Sequence, residues 1–289
     1  MGIVRRNVFF IFMLFSINGF SQENKEGEES VLEDKKLSFN VDLVSRYLWR
    51  GQCWGGDYFA VQPTIEYALT PKITIGTWAT TNFKKEYYYP DNENYYKGYH
   101  EIDLYLGYQI TDFLQFQFWD YYWPSVSKVE GVSNKLFDYG TTSSQTIDAI
   151  LYFDFSEAYR YPFNATISTF VGGNDYRFDS NDKPKRNYTT YVELGYTFNL
   201  LDKTKCKFIQ NLELLPSVGV VLNNKAAYYN FADYDKPSLI NMSLKAIKEF
   251  DLGGNVVMPF SLNYVHNAAT KKTDFFGKNF LIAGISYSY

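Results

Sequence analysis

Three side chains in the second half of the chain, Ser238, His266 and Asn279, are of the types that hydrolytic chemistry requires. A serine can act as a nucleophile, a histidine as its general base, and a side-chain amide as the group that orients the histidine. All three fall near the ends of successive predicted strands with the same parity, so a lipid hydrolase acting at a membrane rim is one alternative function. Serine and asparagine are ordinary at strand ends, however, and a single histidine beside Tyr264 is more often an interfacial side chain. We therefore predict that the protein is not an enzyme.

Cysteine and histidine are scarce, which bears on metal sites and disulfides. The chain contains only Cys53, Cys206, His100 and His266, and their spacing fits no paired-ligand zinc pattern. The sequence therefore predicts no metal site and no cofactor. Cys53 and Cys206 fall at opposite ends of the predicted strands, about 25 Å apart, whereas a disulfide spans roughly 7 Å or less between Cα atoms. We expect no disulfide between them.

Composition excludes two broad classes of protein and one class of partner. The 289 residues include 27 Tyr, 25 Phe and 5 Trp, which is more aromatic surface than a disordered chain contains. Mean hydropathy is −0.31, and the only long apolar run lies at the N-terminus, so a bundle of membrane-spanning helices is excluded too. The net charge of −4 gives no electrostatic reason to bind nucleic acid.

The N-terminus has the order of a secretory signal peptide. Arg5 and Arg6 precede an apolar stretch at 8–17, and the small residues Gly19 and Ser21 follow. We therefore predict a signal peptide at 1–21 that is cleaved after Ser21. Residues 22–36 are rich in acidic side chains and are expected to form a solvated periplasmic tail. The protein is predicted to be exported.

From residue 37 to residue 289, apolar and polar side chains alternate with the period of a β-strand. At 37–50, for example, Phe39, Val41 and Leu43 share one parity, and Asn40 and Asp42 share the other. The alternation predicts twelve strands, near 37–50, 58–69, 72–83, 99–110, 113–123, 146–155, 162–172, 188–200, 207–222, 238–249, 256–266 and 279–289.

The connections between the predicted strands alternate in length. Short joints near 70–71, 111–112, 156–161, 201–206 and 250–255 are interleaved with longer ones near 51–57, 84–98, 124–145, 173–187, 223–237 and 267–278. Short turns at one rim, long loops at the other and an even strand number are typical of bacterial outer-membrane barrels. The predicted fold is therefore all-β, an antiparallel transmembrane β-barrel of about 12 strands at 37–289, with short periplasmic turns and longer extracellular loops. A soluble antiparallel sandwich is the alternative.

Aromatic side chains lie at both ends of the predicted apolar faces. Tyr47, Trp49 and Tyr264 belong to the loop end, and Tyr67 and Tyr108 belong to the turn end. Membrane barrels carry such aromatic belts at the two lipid–water interfaces. The pattern therefore favours a barrel that is surrounded by outer-membrane lipid.

The last strand alternates up to a terminal aromatic residue. This ending resembles the C-terminal signal by which barrel proteins are recognised for insertion into the outer membrane. The residues of the predicted signal are Leu281, Ala283, Ile285, Tyr287 and Tyr289. We expect the barrel-assembly machinery to be a partner and the C-terminus to be periplasmic.

Several motifs between residues 38 and 125 are recognisable. They are Ser45-Arg46-Tyr47-Leu48-Trp49-Arg50-Gly51-Gln52, Val61-Gln62-Pro63, Ile75-Gly76-Thr77-Trp78-Ala79, Glu101-Ile102-Asp103-Leu104-Tyr105 and Asp120-Tyr121-Tyr122. In these motifs the chain resembles the porin-type family called TorF-like, also known as Gcw_chp. The resemblance implies a channel-like barrel in a Gram-negative outer membrane, and it supplies no substrate and no catalytic residue. Cys53 and Trp54 stand where small or polar loop residues are expected.

If the apolar parity faces lipid, the opposite parity lines the lumen. The predicted lumen-lining residues are Asp42, Arg46, Arg50, Glu66, Trp78, Glu101, Asp103, Tyr105, Trp119, Asp148, Tyr152, Glu193, Glu213 and Lys245. Carboxylates outnumber cations in this set, so a weak cation preference is expected. Charges such as Asp42 and Arg46 could instead simply pair with each other. The aromatic members could stack sugars or nucleosides, or fill a narrow barrel without any ligand.

The predicted function is passive passage of small hydrophilic solutes. The alternatives are the rim hydrolase and a plugged structural barrel with binding loops.

The tyrosine-rich loop segments at 87–96 and 228–234 could bind partners or fold inward as constrictions. Asp120 has the lipid-facing parity, so a bulge near Trp119 is expected to turn it inward or towards the rim. The sequence specifies neither the solute nor the oligomeric state.

Overall fold

The computed structural model describes residues 36–84, 98–124, 133–181, 183–199, 210–224, 226, 229, 236–253, 256–269 and 277–289. The predicted signal peptide at 1–21 lies outside the described residues, as does the acidic tail apart from Lys36. Both stay predictions. Cys206 and the tyrosine-rich segment at 87–96 also lie outside the described residues, and only Tyr229 represents the second such segment.

Twelve strands form one antiparallel ring. They are β1 (Leu37–Val44), β2 (Ala60–Thr70), β3 (Ile73–Thr81), β4 (His100–Thr111), β5 (Leu114–Tyr122), β6 (Gln145–Asp154), β7 (Phe163–Gly173), β8 (Thr190–Tyr196), β9 (Leu212–Val221), β10 (Ser238–Asp251), β11 (Val257–His266) and β12 (Asn279–Ser288). The short stretch Phe198–Asn199 continues β8 and also pairs with β9. Each strand pairs with the next, and β12 returns to pair with β1. The closed ring confirms the predicted barrel and its strand number, and it excludes the sandwich.

The remaining elements are short and lie in the connections. The single-turn helix α1 (Phe155–Tyr159) joins β6 to β7, and the Asp154 side chain caps it by accepting a hydrogen bond from the Ser156 N–H at 2.9 Å. Two small hairpins occur in long loops, Leu48–Trp49 with Gln52–Cys53 and Tyr176–Phe178 with Pro184–Arg186. In the part of the chain that the structure describes, no helix is long and apolar enough to cross a membrane.

The two faces of the wall have opposite chemistry. Leu104, Leu262 and Leu281 on the outside are 47%, 49% and 58% exposed, whereas Gln117 and Asn263 on the inside are buried. A broad exposed apolar band is unfavourable in water and favourable in lipid, and a closed ring satisfies the backbone hydrogen bonds there. The residues of the predicted C-terminal signal lie on the outward parity of β12 or just after it; their recognition stays a prediction.

Loop 1, defined here as residues 45–59, departs from the prediction. The first strand was expected to reach residue 50, but β1 ends at Val44 and the chain then turns into the barrel. Tyr47 and Trp49, which were expected in the outer aromatic belt, are therefore buried inside. That prediction is wrong because alternation fixes the direction of a side chain only while the strand continues.

The bulge predicted near Trp119 is also absent from the described strands. Asp120 pairs with Leu104 of β4 and Ile147 of β6, and the β5 register is regular on both sides of it. Asp120 thus keeps its outward direction, and the bulge prediction is wrong. The carboxylate is satisfied instead by hydrogen bonds from the Gln145 amide and the Tyr139 hydroxyl, each at 2.7 Å.

Candidate functional site: the barrel interior and loop 1

Loop 1 crosses the interior and touches the wall formed by β10 and β11. A two-residue hairpin places Gly51 near its tip, where φ is +77°. A Cβ atom at this position would lie 1.9 Å from the Ile240 carbonyl oxygen, so only glycine fits. The Asn267 amide, just after β11, donates to the Gly51 carbonyl oxygen at 3.0 Å. The tip of loop 1 is thus in contact with backbone atoms of the wall.

Arg50, next to Gly51, connects loop 1 to the opposite wall. Its Nη1 donates to Ser168 Oγ on β7 at 2.7 Å and to the Tyr229 hydroxyl at 2.5 Å, and its Nη2 contacts Asp148 Oδ2 on β6 at 3.0 Å. Tyr121 donates to the same Asp148 oxygen at 3.1 Å. We call Arg50, Asp148, Ser168 and Tyr229 the latch. Because β6 and β7 lie across the ring from β1, the latch holds loop 1 across the lumen.

Aromatic rings pack around the latch. Trp49 stacks on Tyr229, with ring centroids 5.4 Å apart and planes 7° apart, and on Phe170 at 6.4 Å and 9°. The Arg50 guanidinium lies 4.5 Å from the Trp49 ring centroid and 4.8 Å from that of Tyr191. Cation–π contacts of this kind strengthen when the cation is desolvated. Loop 1 and these rings pack together inside the barrel at this level.

Burial and neighbouring groups set the protonation of two loop 1 side chains. Burial of the Arg50 guanidinium opposes its charge, but the Tyr229 and Asp148 groups beside it prevail and raise the pKa of Arg50. Burial raises the pKa of the Cys53 thiol to about 12, and this thiol donates to the Gly56 carbonyl oxygen at 3.2 Å. Arg50 is therefore charged, and Cys53 is a neutral, unreactive thiol.

Polar and aromatic side chains line β2–β5. The Tyr105 hydroxyl donates to Glu66 at 2.6 Å, and the Tyr99 hydroxyl donates to Glu101 at 2.9 Å. Tyr105 also stacks on Trp119, with centroids 4.1 Å apart. Since these two rings pack against each other, the alternative that aromatic side chains fill a narrow barrel is favoured over a stacking track for solutes.

The structure places most of the predicted lumen-lining residues in buried positions. These are Asp42, Arg50, Trp78, Glu101, Asp103, Tyr105, Trp119, Asp148, Tyr152, Glu193 and Lys245. Arg46, Glu66 and Glu213 are partly exposed. Arg46 and Arg50 belong to loop 1 instead of the first strand. Arg46 pairs with Asp57 at 2.5 Å, not with Asp42, which lies opposite Ser286 of β12 in the strand register.

The sequence singled out Arg50, Asp148 and the segment that contains Tyr229, but it did not single out Ser168 of the latch. Ser168 has the inward parity of β7 and could have been found by alternation. Tyr229 lies in a long loop, where no periodic signal indicates the direction of a side chain. Inward folding of its segment was one of two alternatives, and the structure places Tyr229 inside the barrel, on Arg50.

The three candidate hydrolase residues do not form a triad. His266 Nδ1 and Asn279 Oδ1 are 2.8 Å apart, but the Ser238 hydroxyl donates to the Lys236 carbonyl oxygen at 3.1 Å. The β10 residue that pairs with His266 is Met242. Ser238 is four positions beyond it, about 13 Å along the strand, which is too far for a nucleophile and its base.

Potential metal ligands are also dispersed. Within the described ranges, no three His, Cys, Asp or Glu side chains come together in a way that could hold a metal ion.

Comparison with known families shows to which family the chain belongs. A family model described as "Bacterial protein of unknown function (Gcw_chp)" matches residues 30–197, which is more than half of the sequence. The chain belongs to the Gcw_chp family. Loop 1 and strands β1–β8 lie inside the matched region. Three of the four latch residues of this Gcw_chp protein, Arg50, Asp148 and Ser168, therefore lie in the matched region, whereas Tyr229 lies beyond its end.

Solved structures with a similar course of the chain share little sequence with it. OmpF of Salmonella typhi, in complex with daunomycin, is 7% identical, with 88% of this chain and 97% of that chain covered and a TM-score of 0.37. The outer membrane channel DcaP of Acinetobacter baumannii is 13% identical, with 88% and 72% covered and a TM-score of 0.34. The translocator domain of the autotransporter NalP from Neisseria meningitidis is 8% identical, with 88% and 86% covered and a TM-score of 0.33. No curated protein matches the chain.

Proposed function

We propose that this Gcw_chp protein is an outer-membrane channel for small hydrophilic solutes, of the porin type that the TorF-like resemblance implies, and that loop 1 forms its constriction. The barrel wall provides a route across the membrane that is shielded from lipid. Loop 1 narrows this route at the end where the long loops lie. The channel is therefore expected to admit ions and small solutes and to exclude larger ones.

The observation that carries this proposal is a set of buried polar atoms on the inner wall. Asn40 Nδ2, Asp42 Oδ1, Asp103 Oδ2, Thr166 Oγ1 and Asn263 Oδ1 have no hydrogen-bond partner within the described part of the chain. A buried polar atom without a protein partner is costly unless water satisfies it. Their distribution over β1, β4, β7 and β11 supports a hydrated interior around the whole ring.

The charges of the inner wall support a weak cation preference. The Arg50 charge is balanced by Asp148. Beyond this pair, the buried ionisable side chains on the described barrel strands are Asp42, Glu101, Asp103, Glu193 and Lys245. A lumen with more carboxylates than ammonium groups attracts cations electrostatically.

Single-channel recording in planar bilayers tests this function. The full chain, refolded and shown by a heat-dependent shift in gel mobility to be inserted, is expected to give small, stable conductance steps in potassium chloride. Under a salt gradient, the reversal potential should have the sign of cation selectivity. Silence of the inserted protein would contradict the channel.

One observation favours a second candidate, a closed barrel that presents its loops for binding. The latch and the rings around it are buried inside the barrel at one level, which is also the arrangement of a barrel that loop 1 closes. Such a barrel would be silent even after the latch is broken by Arg50→Met, whereas a constricted channel would conduct more.

A further inference from the structure

Residues 133–144, which we call the outer flap, lie on the outside of the barrel against β5 and β6. Gln145 has the outward parity of β6, opposite to Thr146, and yet it is only 1% exposed. The Phe137 N–H donates to its side-chain oxygen, and the Tyr122 hydroxyl on β5 donates to the Asn134 carbonyl oxygen at 2.8 Å. The outer flap therefore covers part of the outer wall instead of extending away from the barrel.

The outer flap also supplies a partner to Asp120 on the outer wall. The Tyr139 hydroxyl and the Gln145 amide each donate to one oxygen of this carboxylate at 2.7 Å. Asp120 pairs with Leu104, which is 47% exposed. Phe118, two positions before Asp120 on the same face of β5, is 42% exposed. A charge at the edge of an apolar band requires hydrogen bonds to remain there. These bonds fix the outer flap at the edge of the band.

Large apolar side chains of the outer flap are exposed. Leu136 is 53% exposed and Phe137 is 58% exposed. Phe137 has φ = +63°, a conformation that is strained for a bulky residue. The hydrogen bonds of Asn134, Phe137 and Tyr139 attach this segment to Tyr122, Gln145 and Asp120, next to the exposed band of the barrel.

We propose that the outer flap is a lipid anchor, with Leu136 and Phe137 inserted among the acyl chains of the outer leaflet. The occupant follows from continuity, because the outer flap borders the exposed apolar band that lipid covers on the barrel. Apolar and aromatic side chains at this height partition into the membrane interface. This role does not depend on conduction through the lumen. An experiment can therefore contradict the lipid anchor without contradicting the channel, and an experiment on conduction can contradict the channel without contradicting the anchor.

Fluorescence quenching by lipid tests the anchor. In a Cys206→Ser background, Phe137→Cys is labelled with the environment-sensitive dye NBD, and the refolded barrel is placed in phosphatidylcholine vesicles with or without brominated acyl chains. Cys53 is buried and protonated and is expected to stay unlabelled. The label at 137 should be blue-shifted and at least two-fold quenched by brominated lipid. The matched control is Asn181→Cys, an exposed polar position in another long loop, where quenching should be weak.

Two further measurements separate the possible outcomes. The Tyr139→Phe variant removes one hydrogen bond of the outer flap to Asp120 and should reduce quenching at 137. Equal, weak quenching at 137 and 181 would overturn the proposal. So would a blue shift at 137 that disappears when the barrels are diluted ten-fold in lipid, because it would identify a second copy of the chain as the occupant.

Discussion

Breaking the latch is the sharpest test of loop 1. The Arg50→Met substitution keeps most of the side-chain volume and removes the guanidinium with its bonds to Asp148, Ser168 and Tyr229. Loop 1 then keeps its contacts with Ile240 and β11 but loses its attachment to the far wall. We expect lower stability and a wider lumen.

The magnitude follows from the burial of the pair. The Arg50 and Asp148 side chains are 10% and 0% exposed, and removing one partner of a buried ion pair costs about 3–5 kcal/mol. Asp148 keeps hydrogen bonds from Ser168 at 2.7 Å and Tyr121 at 3.1 Å, so the lower end, about 3 kcal/mol, is expected. With a slope of about 3 kcal/mol per molar urea, the unfolding midpoint falls by roughly 1 M.

The assay combines urea unfolding of the refolded barrel with single-channel recording. The Arg50→Met/Asp148→Asn double variant should regain much of the lost stability, because it no longer buries an unpaired charge. The matched control is Lys185→Met, which breaks the loop pair of the exposed Lys185 with the partly exposed Asp179. Exposed pairs contribute about 0–1 kcal/mol, so this control should change little.

Two results would refute this account of loop 1. Equal destabilisation by Arg50→Met and Lys185→Met would mean that the latch contributes no more than a surface pair. A destabilised Arg50→Met barrel with the wild-type conductance would mean that loop 1 does not limit passage. The expected result is a lower midpoint together with larger conductance steps.

Three other predictions concern loop 1 and the inner wall. Gly51→Ala should destabilise the barrel and raise conductance. Gly253→Ala is the matched control, because Gly253 also has a positive φ but has open space around it, so its substitution should cost only about 1–2 kcal/mol. Equal effects of the two substitutions would contradict the close packing of loop 1. With a thiol pKa of about 12, only about one Cys53 in ten thousand is a thiolate at pH 8. Maleimide should therefore label Cys53 of a Cys206→Ser variant only after unfolding, and prompt labelling of the folded barrel would contradict its burial. Glu101→Gln removes an inner-wall carboxylate and should move the reversal potential towards zero; an unchanged value would show that Glu101 does not contribute to selectivity.

The fold could be predicted because its signals are local. Alternation along each strand and the lengths of the connections are sufficient to give an antiparallel barrel, its strand number and the two faces of its wall. Asp103, Asp148 and Glu193 were predicted to face inward from parity alone, and they are buried on the inner wall. A one-residue change of phase would move such side chains to the other face, so parity is a strong constraint.

Alternation no longer indicates the surroundings of a side chain where a strand ends or where a loop covers the strand as a second layer. Trp49 lies beyond the end of β1 and is inside the barrel, against expectation. Asp120 does keep its parity, but no local pattern indicates that residues 133–144 return over the outer wall to satisfy it. In both places the direction of a side chain depends on the path of a loop, which has no periodicity.

The sequence by itself determined a twelve-stranded barrel with an apolar outside and a polar, charged inside. Only the tertiary structure decided that loop 1 crosses this interior and that Arg50 holds it there. The partners of Arg50 lie 98, 118 and 179 residues away along the chain. Contacts over such separations depend on the closed ring, because closure brings β1, β6, β7 and the loop that contains Tyr229 around one lumen.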